Sequence, residues 1–172
     1  MREGSKGARE WRMEAKTGIG FLINHQGYDN KKEMAALSSQ VHDMKEMMML
    51  SLLENPSASE RIRGVSYTNE IKSANKEVVN ALLSTLNNDP NVNVRLVTLE
   101  ALTQYSNDAT VREGLVQSIV QQDSPLVQAA LADVMLKLQE KKSVQSFRKL
   151  LQQKDLNHSI RSKIEQTITG LI

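Results

Sequence analysis

Apolar residues in the first patterned part of the chain recur every three or four positions. They are Met34, Leu37, Val41, Met44 and Met48. This spacing is typical of one face of an amphipathic helix or of a coiled-coil seam. Pro56 disfavours helical backbone at the residue before it, so the helix is expected to end there. The pattern predicts a long amphipathic, coiled-coil-like helix over residues 30–54, whose start is either a free arm or the contact of a homodimer.

A turn motif recurs after this helix at a nearly constant interval. Its leading polar residues are Asn55, Asp89, Asp123 and Asp155, which lie 34, 34 and 32 residues apart. Each is a candidate N-cap, and a proline stands at or near the first helical turn in three copies. The helix before each turn carries three rows of aligned apolar residues on one face. The rows are Met44, Val78, Val111 and Val144; Met48, Leu82, Leu115 and Phe147; and Leu52, Leu86, Ile119 and Leu151. The chain therefore contains four copies of one helix–turn–helix unit.

One helical hairpin of about 33 residues cannot bury both of its apolar faces, whereas a stack of hairpins can. The predicted fold is all-α, an α-solenoid of about four helical hairpins with an extended N-terminal helix. The predicted hairpins pair residues 30–54 with 58–72, 76–88 with 90–105, 109–121 with 124–139, and 142–153 with 158–171. The expected core residues are Leu82, Leu86, Leu99, Leu102, Leu115, Ile119, Val134 and Met135. Met44, Met47, Met48 and Met49 are interpreted as core too, with an adaptable binding surface as the alternative.

Composition narrows the function classes. Apolar residues make up 40% of the 172 residues, which is enough to build a core. Only 3% of the residues are aromatic, and 8 glycines and 3 prolines are too few for an all-β fold rich in turns. The absence of cysteine excludes a disulfide framework, a thiolate zinc site and a cysteine nucleophile. No phosphate-binding loop or hydrolase motif occurs either. The sequence therefore predicts no catalytic, cofactor-binding or metal-binding residue.

The stretch 89–102, which reads DPNVNVRLVTLEAL, resembles the second helix of a HEAT repeat. That pattern combines an Asp-Pro turn with a following Val-Arg and an Ala-Leu pair. The resemblance covers about residues 44–172 and is strongest in the 76–106 copy. It implies a HEAT-like repeat domain over residues 44–172 that serves as a non-enzymatic protein-interaction scaffold for a protein partner.

A narrower resemblance concerns residues 37–66, LSSQVHDMKEMMMLSLLENPSASERIRGVS. They are similar to the region joining a membrane helix to a HEAT-like domain in bacterial anti-sigma-factor-like zinc-finger membrane proteins. This implies an extracytoplasmic sensing or docking part of a transcription regulator, on the periplasmic side of the inner membrane; otherwise a cytoplasmic location is expected. Residues 1–29 are interpreted as a poorly ordered tail, or as the remnant of an anchor with its upstream part missing. The chain itself contains no run of 18 apolar residues that could span a membrane.

Aligned arginines follow the turns. Arg95 stands six residues after Asp89, and Arg161 stands six residues after Asp155. A guanidinium at this place can reach the turn aspartate of its own or an adjacent repeat through charge-assisted hydrogen bonds. The spacing predicts a structural ladder between repeats, with ligand binding as the alternative. Gln128 interrupts this row of arginines.

The resemblance also suggests where a partner binds, because second helices usually line the concave face of HEAT-like arrays. The polar residues expected on that face are Arg63, Ser66, Glu100, Gln104, Asp133, Lys137, Lys163 and Gln166. Their mixed character suits a moderate protein interface. An ordinary solvated face is the alternative interpretation.

Two further clusters are interpreted as ordinary surface residues. The basic residues Lys141, Lys142, Arg148 and Lys149 are interpreted as a loop and a solvated helix face. No aromatic residue stands among them to stack on bases, so no nucleic acid is expected, although a nucleic-acid-binding HEAT-like protein remains an alternative. His42 and Glu46 lie four residues apart on one helix and are interpreted as a surface pair instead of metal ligands.

Overall fold

The computed structural model describes residues 31–71 and 73–172. The chain divides into two units, Met1–Met44 and Lys45–Ile172. Helix α1 covers residues 31–53, so the described part of the first unit is helical throughout. The predicted tail, residues 1–29, lies outside the described residues.

Within the described residues of the second unit, seven further helices follow α1. They are α2 (Ala58–Ser66), α3 (Lys76–Asn88), α4 (Val92–Gln104), α5 (Ala109–Ser118), α6 (Pro125–Lys137), α7 (Ser143–Leu151) and α8 (His158–Leu171). Short 3-10 turns, Tyr67–Glu70 and Ile119–Gln121, extend α2 and α5. Residues 31–71 and 73–172 contain no strand. The all-α prediction is confirmed.

The helices of the second unit stack in two rows. In one row, α2 packs on α4, α4 on α6, and α6 on α8; in the other, α3 packs on α5 and α5 on α7. The hairpins α3–α4 and α7–α8 connect the rows. Each hairpin is therefore covered by its neighbours along the chain, as expected for an α-solenoid.

The helix starts correct the predicted N-caps. Asp89, Asp123 and Asp155 do not cap helices: the N-cap residues are Asn91, Ser124 and Asn157, one or two positions further on. The Asn91 side chain accepts hydrogen bonds from Asn93 N and Val94 N. The Asp89 carboxylate instead accepts from Asn91 N at 2.8 Å and from an arginine of the preceding repeat. Asp89 and Asp123 are thus left to bind arginine side chains of the preceding repeats.

The core follows the predicted rows in the central repeats. Leu82, Leu86, Leu99, Leu102, Leu115, Ile119 and Met135 are all buried. Val134 is only partly buried, because α6 turns Leu131 and Met135 toward the core and leaves Val134 beside α4. Truncating a buried leucine in such a stack removes contacts on two neighbouring repeats.

The first copy corrects the predicted alignment by one residue. Met49 is fully buried, and it lies 33 positions before the equally buried Leu82. Met44, Met47 and Met48 are exposed, so the core prediction is wrong for these three methionines. On α1 the buried positions are Glu46 and Met49, which places the predicted seam on a different face.

Gly64 lies where α2 packs against the end of α1. A Cβ atom at Gly64 would lie 2.8 Å from Leu52 Cβ and 3.2 Å from the Met49 carbonyl oxygen. Real Cβ contacts are not this short, so the close packing of α2 on the end of α1 requires a residue without a side chain.

Candidate functional site

The eight residues predicted to bind a partner all lie on α2, α4, α6 and α8. Each of these helices carries two of them, and the surface that they form is called here the even-helix face. Lys163 is half-buried, and the other seven are exposed. The four helices stack in this order, which brings residues from four repeats onto one side of the second unit.

A groove of about 480 Å³ lies between α4 and α6, and we call it the larger groove. Its apolar lining comes from Leu96, Leu99, Ala130 and Val134. Its polar lining includes four of the predicted residues: Glu100, Gln104, Asp133 and Lys137. An apolar floor with a polar rim is the usual composition of a protein-binding groove.

The smaller groove, of about 190 Å³, lies between α2 and α4. Its apolar lining comes from Ile62, Val65, Val97 and Ala101. Ser66 lines this groove, and Gln104 Nε2 donates a hydrogen bond of 2.9 Å to Asn69 Oδ1 there. Glu100 and Gln104 line both grooves, so the two grooves are neighbours across α4.

The charges of the even-helix face fall into paired and unpaired groups. Lys163 Nζ lies 2.6 Å from Asp133 Oδ1, and Arg63 binds Glu60 one turn away on α2. Within residues 31–71 and 73–172, Glu100 and Lys137 form no ion pair. Gln166 is exposed on α8 and lines neither groove. Glu100 and Lys137 are therefore the charges of the larger groove that a ligand could engage without breaking an ion pair.

Two of the arginines after the turns, Arg61 and Arg95, bind the next repeat. Arg61 Nε and Nη2 donate to Asp89 Oδ2 and Oδ1 at 2.6 and 3.0 Å, with only 11% of the Arg61 side chain and 4% of the Asp89 side chain exposed. This bond raises the pKa of Arg61 above its ordinary value. Arg95 Nη1 donates to Asp123 Oδ1 at 2.8 Å, and this bond lowers the pKa of the Asp123 carboxyl. We call these two pairs the turn ladder.

The other two predicted ladder residues do not pair with each other. Arg161 donates to the carbonyl oxygens of Leu151 and Gln153, at 2.9 and 3.4 Å, while Asp155 is exposed and has no ion pair in the described part of the chain. The own-repeat pair Asp89–Arg95 is absent there too, since both residues bind other repeats.

The position occupied by Arg61, Arg95, Gln128 and Arg161 in successive repeats has a second role, which the sequence did not indicate. Arg61 Nη1 donates to the Asn55 and Pro56 carbonyl oxygens. Gln128 Nε2 donates to the Gln122 carbonyl oxygen at 2.8 Å. Like Arg161, these residues therefore satisfy carbonyl groups in the turn that precedes their own helix, where helix ends leave acceptors unpaired. Gln128 therefore keeps the bond to the turn carbonyl, although its neutral side chain cannot form an ion pair with an aspartate.

A hollow of about 710 Å³ lies where the end of α1, residues 54–56 and α3 meet. The Arg61–Asp89 pair is part of its wall, and both side chains are already bonded as described above. We therefore assign this hollow to the turn ladder and not to a ligand site.

The predicted basic cluster stays at the surface, whereas the predicted His42–Glu46 surface pair is corrected: Glu46 is buried and accepts a hydrogen bond of 2.6 Å from Asn75 Nδ2. Lys141, Lys142, Arg148 and Lys149 are exposed on and before α7. The described residues contain no group of histidine and acidic side chains that could hold a metal ion, and His42 belongs to no such group. No described helix is long and apolar enough to cross a membrane.

Comparison with known proteins agrees with the stacked hairpins. The sequence model of a family described as HEAT repeats matches residues 79–168. No curated protein matches the chain.

Proposed function

Because the chain belongs to the HEAT repeat family, which commonly provides protein-interaction scaffolds, we propose that the even-helix face binds a protein partner without catalysing a reaction. The observation that carries this proposal is the pair of neighbouring grooves across α4. Four residues chosen from the sequence as partner contacts, Glu100, Gln104, Asp133 and Lys137, line the larger groove.

Two physical considerations support this face. The grooves expose leucine and valine surface between charged rims. A partner that removes this apolar surface from water lowers the free energy of the complex. Because the helices are fixed by the core beneath them, the binding surface is formed before the partner arrives, which reduces the entropy cost of association.

The test is a four-residue variant with a matched control. Glu100, Gln104, Asp133 and Lys137 are changed together to alanine; in the control, the exposed Glu113, Gln117, Gln145 and Lys149 of α5 and α7 are changed instead. Affinity capture with crosslinking is expected to lose a partner with the first variant and keep it with the second. If the first variant keeps its fold and every partner, the even-helix face is not the binding surface.

We further propose that α1 mediates weak self-association through Met34, Leu37, Val41 and Met44. These four residues of the first unit are 39–71% exposed, although their 3-4-3 spacing is that of a coiled-coil seam. Four side chains from each copy form a contact smaller than the ~1,200 Å² of the smallest stable complexes, so only a weak dimer is expected.

Sedimentation velocity over a concentration series tests this dimer. The wild-type chain is expected to associate reversibly at high concentration, and Val41→Glu is expected to stay monomeric because it places charge in the seam. Ser39→Glu is the control, since Ser39 is exposed outside the seam. Equal association of the Val41→Glu variant, or a wild-type chain that is monomeric throughout, would contradict the proposal.

Two alternatives remain predictions from the sequence. The anti-sigma-like regulator predicts that the DNA upstream of Met1 encodes an in-frame apolar span preceded by a Cys/His module. A ribosome site directly before Met1, with a stop codon ahead of it, counts against that interpretation. The nucleic-acid-binding alternative predicts retention on DNA with an affinity that falls steeply as salt rises.

A further inference from the structure

We propose that the partner contributes a peptide segment in which a lysine or arginine stands between two apolar side chains. The basic side chain binds Glu100, the bulkier apolar side chain enters the larger groove, and the smaller one enters the smaller groove. This inference rests on the proposed binding function of the even-helix face and specifies the chemistry of its partner.

Glu100 is the reason for the basic residue. Its carboxylate is exposed, lines both grooves, and forms no ion pair with any residue of the described ranges. The other acidic residue of the larger groove, Asp133, is already bound to Lys163 at 2.6 Å. A cation that arrives between the grooves therefore meets one unpaired carboxylate, and charge complementarity of this kind determines specificity in protein interfaces.

The grooves define the spacing of the apolar side chains. They lie on opposite sides of α4, and neighbouring packed helices are about 8–10 Å apart. Seven residues of a helix cover about 10 Å, and side chains seven positions apart lie on one face of it. A basic side chain three or four positions from either apolar one then stands between them on that face. Three residues of an extended peptide, which cover about the same length, do not offer this arrangement, because successive side chains point to opposite faces.

The groove volumes set the order of the two apolar side chains. The larger groove has about 480 Å³ and the smaller about 190 Å³. Leucine, methionine or phenylalanine is expected over α4–α6, and alanine or valine over α2–α4. Lys137 is unpaired and lines only the larger groove, so an acidic group of the peptide is expected next to the bulkier side chain.

The test is selection of random peptides by the purified full chain. Selections are run on the wild type, on Glu100→Gln and on Glu100→Lys. The control is Glu165→Lys, since Glu165 is an exposed residue of α8 that lines neither groove. Wild-type and control selections are expected to enrich a basic residue flanked by apolar ones. The preference should disappear with Glu100→Gln and change to an acidic residue with Glu100→Lys, and the wild-type peptide should bind Glu100→Lys at least about tenfold more weakly.

Two further measurements separate this inference from the proposed function. Ala130→Trp fills the larger groove, and amide chemical-shift changes of the wild-type chain map the bound peptide even if that variant does not fold. Shifts outside α2, α4 and α6, or unchanged affinity in a folded Ala130→Trp variant, would overturn both proposals. A selection without binders would overturn the basic-peptide inference alone. Shifts centred on α4 and α6, together with peptides whose charge preference is the same in all Glu100 variants, would overturn the basic-peptide inference alone.

Discussion

The turn ladder and the even-helix face use charged residues in opposite ways. In the ladder, Arg61 and Asp89 are almost completely buried, and each is bonded to main-chain groups as well as to the other. On the even-helix face, Glu100 and Lys137 are exposed and have no ion pair within the described residues. Residues of the same repeat can therefore hold neighbouring repeats together on one side and remain available to a partner on the other. For the Arg61–Asp89 pair, burial and hydrogen-bond satisfaction, not the residue type, distinguish its role from that of Glu100 and Lys137.

The core shared by both regions sets the upper limit for the effect of a single substitution. Leu115 is fully buried in α5, and Leu115→Ala is expected to lower the free energy of unfolding by about 2–5 kcal/mol because it leaves a cavity. Urea denaturation followed by circular dichroism measures this loss. Leu126→Ala is the control, because Leu126 is 64% exposed and its truncation creates no internal cavity. Equal effects of the two substitutions would contradict the assigned core.

The two ladder aspartates should respond differently to the same change. Asp89→Ala leaves the buried Arg61 guanidinium without its carboxylate and removes the bond to Asn91 N, so we expect a loss of about 2 kcal/mol. Asp123→Ala should cost less than about 1 kcal/mol, because that side chain is 86% exposed and its ion pair is weakened by solvent. The comparison uses urea midpoints of both variants at neutral pH. A larger loss for Asp123→Ala would show that burial does not govern the ladder.

The contribution of the Arg95–Asp123 pair can be measured from the dependence of stability on pH under acidic conditions. Arg95 lowers the pKa of the Asp123 carboxyl below its ordinary value of 3.8. The folded state therefore binds this proton less readily, and the pair stabilises the fold above that ordinary value and ceases to do so as the pH falls through the lowered pKa. Asp123→Asn should be slightly less stable than the wild type at pH 6, and the difference should vanish under strongly acidic conditions. A difference that persists unchanged at low pH would exclude the ionised carboxylate as its cause.

The smallest effects on stability are expected on the even-helix face. Glu100→Gln should change the free energy of unfolding by no more than about 0.5 kcal/mol, because the side chain is exposed and unpaired. Lys163→Ala should cost less than about 1 kcal/mol, since its pair with Asp133 is partly solvated. Thermal melting of both variants provides the check. A loss comparable to that of Asp89→Ala would mean that this face has a structural role.

Much of the fold could be predicted from the sequence because the apolar rows recur at nearly the same interval in the central repeats. The first copy failed for Met44 and Met48, since its helix is offset by one residue relative to its turn, and Met49 takes the core position. The N-caps were missed by one or two positions, because a turn aspartate and a capping asparagine have similar local preferences. Asn91 caps α4, whereas Asp89 binds the preceding repeat.

The candidate site was predictable in part. The repeat register assigned all eight proposed contact residues to α2, α4, α6 and α8. It did not indicate which of their charges are paired, because the Lys163–Asp133 contact joins residues of different repeats. The sequence did not indicate the depth of the grooves either. It depends on how closely neighbouring helices pack and on which small residues, such as Ala101 and Ala130, stand between them.

The assignment of binding to the even-helix face is tested most directly by hydrogen–deuterium exchange of the chain with a peptide selected as described above. Amides in α4 and α6, including the stretch around Glu100, are expected to gain protection, and exchange in α5 and α7 is expected to stay unchanged. Protection confined to α5 and α7, or to the hollow beside the Arg61–Asp89 pair, would contradict this assignment.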